Sequence, residues 1–176
     1  MLKSMKQRGF TLLELVITIT IMAILLTLAV ANINSNLQSQ RDSERVSDIA
    51  TIANNLETYY KTGINGGGTL IVGRYPSTGL LVGGETVLLK NLPRMDIESA
   101  IAPGAANVVV SFILATNAVE TATGVLPQPT KSEYIYQPIY LNGTLCTTGA
   151  QECRRFNLFY RTESDNTVKK MTSRHQ

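Results

Sequence analysis

Few residues in this chain are of types that do chemistry, and their spacing excludes most of it. The single histidine, His175, has no set of cysteines or further histidines with which to build a structural zinc site. Cys146 and Cys153 are too few for a disulfide-dense scaffold. No Ser/His/Asp or Cys/His constellation stands out, and carboxylates such as Asp42 and Glu44 read as a solvated helix face, so the chain is expected to be no enzyme and to need no cofactor or metal. The glycine-rich stretch 63–68 follows a helical pattern and precedes no clear helix, which fails the context a phosphate-cradling loop requires. Glu14 is the residue out of place, the only charge in the apolar run 10–33. At the centre of a membrane helix a carboxylate costs roughly 2.5–3.5 kcal/mol, and near the end it costs less but still needs a partner.

The element that carries Glu14 is defined by what flanks it. The chain has 176 residues, the length of one domain or one domain with an appendage, and 44% of them are apolar, ordinary for a globular chain. Its 16 Lys+Arg against 13 Asp+Glu give a formal charge of +3. Lys3, Lys6 and Arg8 make up that whole excess and precede the apolar run with no acid among them. At about 1.5 Å per residue the run makes a helix of ~36 Å, enough to cross a hydrocarbon core of ~30 Å. The basic flank orients such a span with its N-terminus in the cytoplasm. A cleaved secretory signal has a shorter apolar region of ~7–15 residues followed by a small-residue cleavage site. A plain anchor has no reason to keep Glu14, and a buried core helix is seldom so long. Hydropathy alone leaves anchor and core helix open.

The sequence Lys6-Gln7-Arg8-Gly9-Phe10-Thr11-Leu12-Leu13-Glu14-Leu15 resembles the processing motif of type IV prepilins and their pseudopilin relatives. The resemblance covers roughly the first 35 residues, and it requires the basic leader, Gly-Phe-Thr-Leu, Glu14 and the long apolar run to coincide. It implies that a prepilin peptidase cuts between Gly9 and Phe10 on the cytoplasmic side and methylates the new N-terminus at Phe10. It implies that Glu14, fifth in the mature chain, pairs with the freed amine of Phe10 of a neighbouring subunit during assembly, where an unpaired carboxylate in an apolar bundle would be costly. The alternative is that Glu14 merely sits at the lipid interface. The implied partners are copies of the same chain in a helical filament, the peptidase, the pilus assembly machinery, and the membrane before assembly. The implied location of the precursor is the cytoplasm or the inner membrane, single-pass with the N-terminus inside, and then an extracellular cell-surface pilus. A pseudopilus of type II secretion, a minor competence pilin and a monomeric membrane-anchored binding domain are the alternatives.

Beyond the run the helix is expected to continue. Val46, Ile49, Ala53, Leu56 and Tyr60 recur at spacings of three and four, an amphipathic stripe, and Glu57 stands four before Lys61 in the favourable order. Neither Pro nor Gly interrupts 10–62, and Gly63 is a natural C-cap. The helix would then be ~80 Å long. Many type IV pilins carry a helix breaker in the apolar half; this chain has Ala23, Ala31, Thr18, Thr20 and Thr27 there instead, so no melted segment is predicted.

The expected organisation is a leader 1–9, a membrane and filament-core helix 10–33, an amphipathic continuation 34–62 and a head 63–176. In the head, 74–79 is turn-like and resembles the Tyr-Pro segment that follows the long helix in pilins. Gly83-Gly84 marks a turn, 93–102 reads as a short helix opened by Pro93, and 108–115 is a short apolar run of either type. Alternation predicts strands at 134–141 and 156–161, and a third at 168–172. Asn142-Gly143 supplies turn chemistry, and Asn142-Gly143-Thr144 is a glycosylation sequon of the kind turns produce anyway. The expected fold class is α+β, the pilin ladle: a long N-terminal helix packed on a small C-terminal antiparallel sheet.

On the exported, oxidising side Cys146 and Cys153 are reasonably bridged, which resembles the disulfide-bounded loop of many pilins; two free thiols are the alternative. Major pseudopilins typically bind calcium through an acidic C-terminal loop, and with only Glu163 and Asp165 after Glu152 that site is disfavoured here. From Arg154 onward six basic residues face two acids. Arg154, Arg155, Lys169, Lys170 and Arg174 form a candidate patch for an anionic partner, either DNA phosphates or, the favoured reading, acidic faces of neighbouring subunits such as that of Asp42 and Glu44. His175 is read as part of a loose tail.

Overall fold

The structure is a computed structural model that describes residues 9–63, 72–104, 112–118, 124–148 and 152–175. The leader residues Lys3, Lys6 and Arg8, the linker 64–68 and the part 108–111 of the expected apolar run lie outside the described residues. Helix α1 spans Leu12–Thr62, 51 residues without a break. The chain forms two compact units, Met1–Gln38 and Ser39–Gln176, divided within α1.

In the first unit every described side chain of 10–33 is exposed, including Leu13, Ile17, Ile24 and Leu28. This helix is long and apolar enough to cross a membrane, and none of its apolar window is buried.

In the second unit α1 ends as expected. Gly63 has φ 60°, and its N–H donates to the Tyr59 carbonyl at 2.7 Å. That is a left-handed C-cap, a conformation glycine adopts at no steric cost. The sheet has four strands in chain order: β1 Phe112–Leu114, β2 Tyr134–Tyr140, β3 Cys153–Arg161 and β4 Val168–Thr172. β2 with β3 and β3 with β4 are antiparallel, but β1 runs parallel to β2, pairing Phe112 with Tyr134. The sheet is therefore mixed, not purely antiparallel. A parallel neighbour needs a crossover connection, and the stretch between β1 and β2 provides it.

Alternation sorts the β2 and β3 side chains onto two covered faces. Tyr134, Tyr136, Phe156 and Leu158 pack with Ile49, Ile52, Leu56 and Tyr59 of α1. Ile135 and Phe159 pack on the opposite face with Ala115 and Val125 from the crossover. Pro138 is tolerated inside β2 because β1 has already ended at its pairing with Tyr136. Phe156, opposite Pro138, donates its N–H to the Ser173 hydroxyl and accepts from the Ser173 N–H at its carbonyl, so it asks nothing of the missing proline N–H.

The helical stripe differs from expectation in two places. Val46 is 47% exposed, and the buried row runs Asp42, Arg45, Ile49, Ile52, Ala53, Leu56, Tyr59. Asp42 is no solvated face: it accepts from the backbone N–H of Glu163 at 2.7 Å and of Ser164 at 2.9 Å. Burial alone would raise its pKa, but those two N–H groups and Arg45 outweigh it, and the carboxyl is held below its ordinary range. Arg45 is the hub. Its side chain is 1% exposed and reaches Asp42, Glu163 and the carbonyls of Pro103 and Lys131. Arg41 holds Glu163 from the other side at 2.6 Å.

The expected helix 93–102 is shorter. Helix α2 is the single turn Thr78–Leu81, helix α3 is Glu85–Asn91, and Ile97–Ala100 is a 3-10 turn capped by the Asp96 side chain. Gly84 precedes α3 with φ 76°, so the glycine pair is the entrance to a helix that amphipathic spacing did not reveal.

Candidate processing and assembly segment

The N-terminal segment is ordered by one threonine. Gly9, Phe10 and Thr11 are non-helical, and α1 opens at Leu12. The Thr11 carbonyl accepts from the Leu15 N–H at 3.1 Å, and its hydroxyl accepts from the Glu14 N–H at 3.2 Å. Thr11 is thus the N-cap, and Thr11-Leu12-Leu13-Glu14 has the spacing of a capping box. This signal was legible in the sequence but is absent from a reading made through the processing motif alone. Glu14 lies in the first helical turn, where the helix dipole favours a negative charge.

Gly9 has open space where a Cβ would stand, and its φ lies outside the left-handed region. Phe10 is 77% exposed. The expected cleavage bond therefore sits in exposed, non-helical chain just outside the helix. Further along, the hydroxyls of Thr18, Thr20 and Thr27 each donate to the carbonyl three residues back, at 2.7–2.8 Å. Bonded in this way, a hydroxyl can enter hydrocarbon without an unmet polar group.

The expected disulfide is present, Cys146 to Cys153, and both residues are fully buried. It is stitched to the Tyr-Pro segment on both sides. Tyr75 N–H donates to the Cys153 carbonyl, Thr78 N–H to that of Cys146 and Gly79 N–H to that of Thr147. A Cβ on Gly79 would stand 2.6 Å from the Thr147 carbonyl oxygen, so this close approach requires glycine.

The five basic candidates do not converge. Arg154 and Arg155 are neighbours on β3 and point to opposite faces, as do Lys169 and Lys170 on β4. Arg154 pairs with Glu152 at 2.7 Å and donates to the Gly73 carbonyl, Lys169 meets Asp165 at 3.2 Å, and Arg174 donates to Asn54. In the acidic turn, Glu163 is held by Arg41 and Arg45, and Asp165 accepts from Thr162 and Thr167. Those hydroxyl bonds, Thr162 first, keep the Asp165 carboxyl far below its usual range. Among the described residues no group of three or more His, Cys, Asp or Glu is placed to hold a metal ion.

His175 is not in a loose tail. Its ring stacks on Tyr60 at 4.2 Å, and its Nδ1 lies 2.9 Å from Glu57. Glu57, 4% exposed, also accepts from the Tyr75 hydroxyl and the Arg174 N–H, and is thereby engaged away from Lys61. Burial, with the Glu57 carboxylate beside it, pushes the Tyr75 hydroxyl far above its ordinary pKa.

Residues 4–30 match the model of the prokaryotic N-terminal methylation motif. The chain is similar to type II secretion system core protein G of Escherichia coli (strain K12), 43% identical over 54 residues, which are 31% of this chain and 37% of that protein. It is similar to the proteins of the same description from Pectobacterium carotovorum subsp. carotovorum, 37% identical over 42% of this chain and 41% of the relative, and from Aeromonas hydrophila, 37% identical over 42% and 45%. The matches thus span less than half of the curated relatives' length. No solved structure is a significant match. The match to the methylation motif spans Gly9, Phe10 and Glu14, and the secretion proteins are what the chain is similar to.

Proposed function

We propose that the chain is the precursor of a pilin-type filament subunit. It is cut between Gly9 and Phe10 by a prepilin peptidase, methylated at Phe10, held in the inner membrane by 10–33, and polymerised through the same helix. The observation that carries this reading is the first unit itself: an unbroken helix whose described apolar side chains are all exposed, with one carboxylate, Glu14, in its first turn. An apolar surface of that extent needs lipid or other copies of the helix around it. Glu14 then pairs with the freed amine of a neighbouring Phe10. The role is structural rather than catalytic, and the basic C-terminal residues serve contacts with neighbouring copies rather than DNA. The engagement of Arg154 and Lys169 with acids supports that preference.

The filament we favour is a cell-surface type IV pilus, a reading supported by the cystine-bounded connection before β3. A type II secretion pseudopilus is the second reading, favoured by the description of the relatives. N-terminal sequencing tests the common part: the mature chain begins at methylated Phe10. Glu14→Ala should leave cleavage intact and abolish filaments. Electron microscopy of sheared cell-surface material separates the two filaments, since a pilus is recovered there and a pseudopilus at native expression is not.

A further inference from the structure

The processing motif states where the chain is cut but not why the bond is open to a peptidase. A peptidase binds its substrate as extended chain, and a 51-residue helix begins only two residues beyond the expected cut. Helices propagate into any flanking residue that does not stop them, because each added residue gains a bond for one residue ordered. Something must hold the helix start at Leu12.

We propose that Thr11 is a positioning residue for processing: by capping α1 it keeps Gly9–Phe10 extended and outside the helix. This rests on the cleavage between Gly9 and Phe10 proposed above. The Thr11 hydroxyl accepts the Glu14 N–H, while the Thr11 carbonyl opens the helical ladder to Leu15. Gly9 is the nearest upstream residue suited to an N-cap, and the space around it is open. Without the hydroxyl, the start moves to Gly9. Phe10 and Thr11 then take helical conformation, and the bond to be cut becomes the bond between cap and first helical residue. The peptidase binds only the fraction of chain whose segment is still extended, so its apparent affinity falls by that fraction. The cost therefore lands on KM and not on kcat.

The test uses the full-length chain in membranes with a prepilin peptidase. Thr11→Val keeps the β-branched shape and removes the acceptor. It should raise KM about fivefold, a factor equivalent to ~1 kcal/mol at 1.4 kcal/mol per decade, with kcat unchanged. Thr11→Asn, which caps equally well with a different shape, should restore the wild-type value. Amide exchange in micelles should show the Leu13 amide, which donates to the Gly9 carbonyl once the helix starts there, more protected in Thr11→Val than in wild type. If Thr11→Val is cut with the wild-type KM, or Thr11→Asn is as poor as Thr11→Val, the positioning role is wrong while the cleavage reading stands. If the wild-type chain is not cut between Gly9 and Phe10, the underlying reading fails first.

Discussion

Arg45 donates to Glu163 across 118 positions of sequence, Nη2 to Oε1 at 2.5 Å, and so fastens the β3–β4 turn to α1. Asp42 completes the fastening from the same helix by accepting the Glu163 and Ser164 backbone N–H groups. The charged residues here do the work the sequence assigned to apolar ones. The helical row that meets the sheet begins with an acid and a base before Ile49 takes over.

Removing the hub should cost much of the head's stability. Arg45→Met leaves two carboxylates and two carbonyls short of a buried donor, and we expect a loss of about 3 kcal/mol. Arg45→Lys should recover less than half of it, because an ammonium lacks the planar fork that reaches Asp42, Glu163 and the Lys131 carbonyl together. The urea midpoint of the full chain in detergent reads both, at unchanged slope.

Acid should act with two opposite signs. Asp42 and Glu163 have lowered pKa values: Glu163 chiefly through its bond to Arg41, Asp42 through bonds that overcome its burial. Their contribution is present above about pH 4 and is lost as pH falls through their folded values. Asp48 is raised to about 6, by burial first, with Glu44 adding to it and the Tyr134 hydroxyl opposing. Its contribution is full below about pH 4 and is lost as pH rises through 6. Stability should therefore rise from pH 2 to about 4 and then decline toward neutrality. Asp48→Asn should abolish the decline and add about 1–2 kcal/mol at pH 7. A pH series of melting curves on both chains checks the signs.

The cystine closes a short loop, Cys146 and Cys153 being seven positions apart. In the chain-entropy model, removing it as Cys146→Ser with Cys153→Ser costs about 2.5 kcal/mol. Because both residues are fully buried, mild reductant should leave the folded protein oxidised, and mass spectrometry after thiol labelling should find no free thiol until denaturant is added.

His175→Ala should destabilise the head by about 1–3 kcal/mol, since it removes the ring stacked on Tyr60 and leaves one oxygen of buried Glu57 without its partner. Thermal melts measure the loss. A wild-type melting curve would mean the contact is incidental.

The sequence by itself determined the N-terminal third. A basic flank, an apolar run, Glu14 and the absence of Pro and Gly through 10–62 dictate one long helix, because local periodicity and hydropathy need no partner to be read. β2, β3 and β4 were legible for the same reason, their alternation surviving on both covered faces. Long-range pairing decided the rest. Nothing local says that Phe112–Leu114 joins the sheet parallel to Tyr134–Tyr136, because three apolar residues suit any buried strand. Nothing local says that Asp42 is bonded rather than solvated, that Val46 is spared, or that His175 returns to α1. Each depends on which distant group arrives: Glu163 at Asp42, none among the described residues to bury Val46, and Glu57 with Tyr60 at His175. A polar residue reads as surface until the tertiary structure supplies the partner that makes its burial affordable.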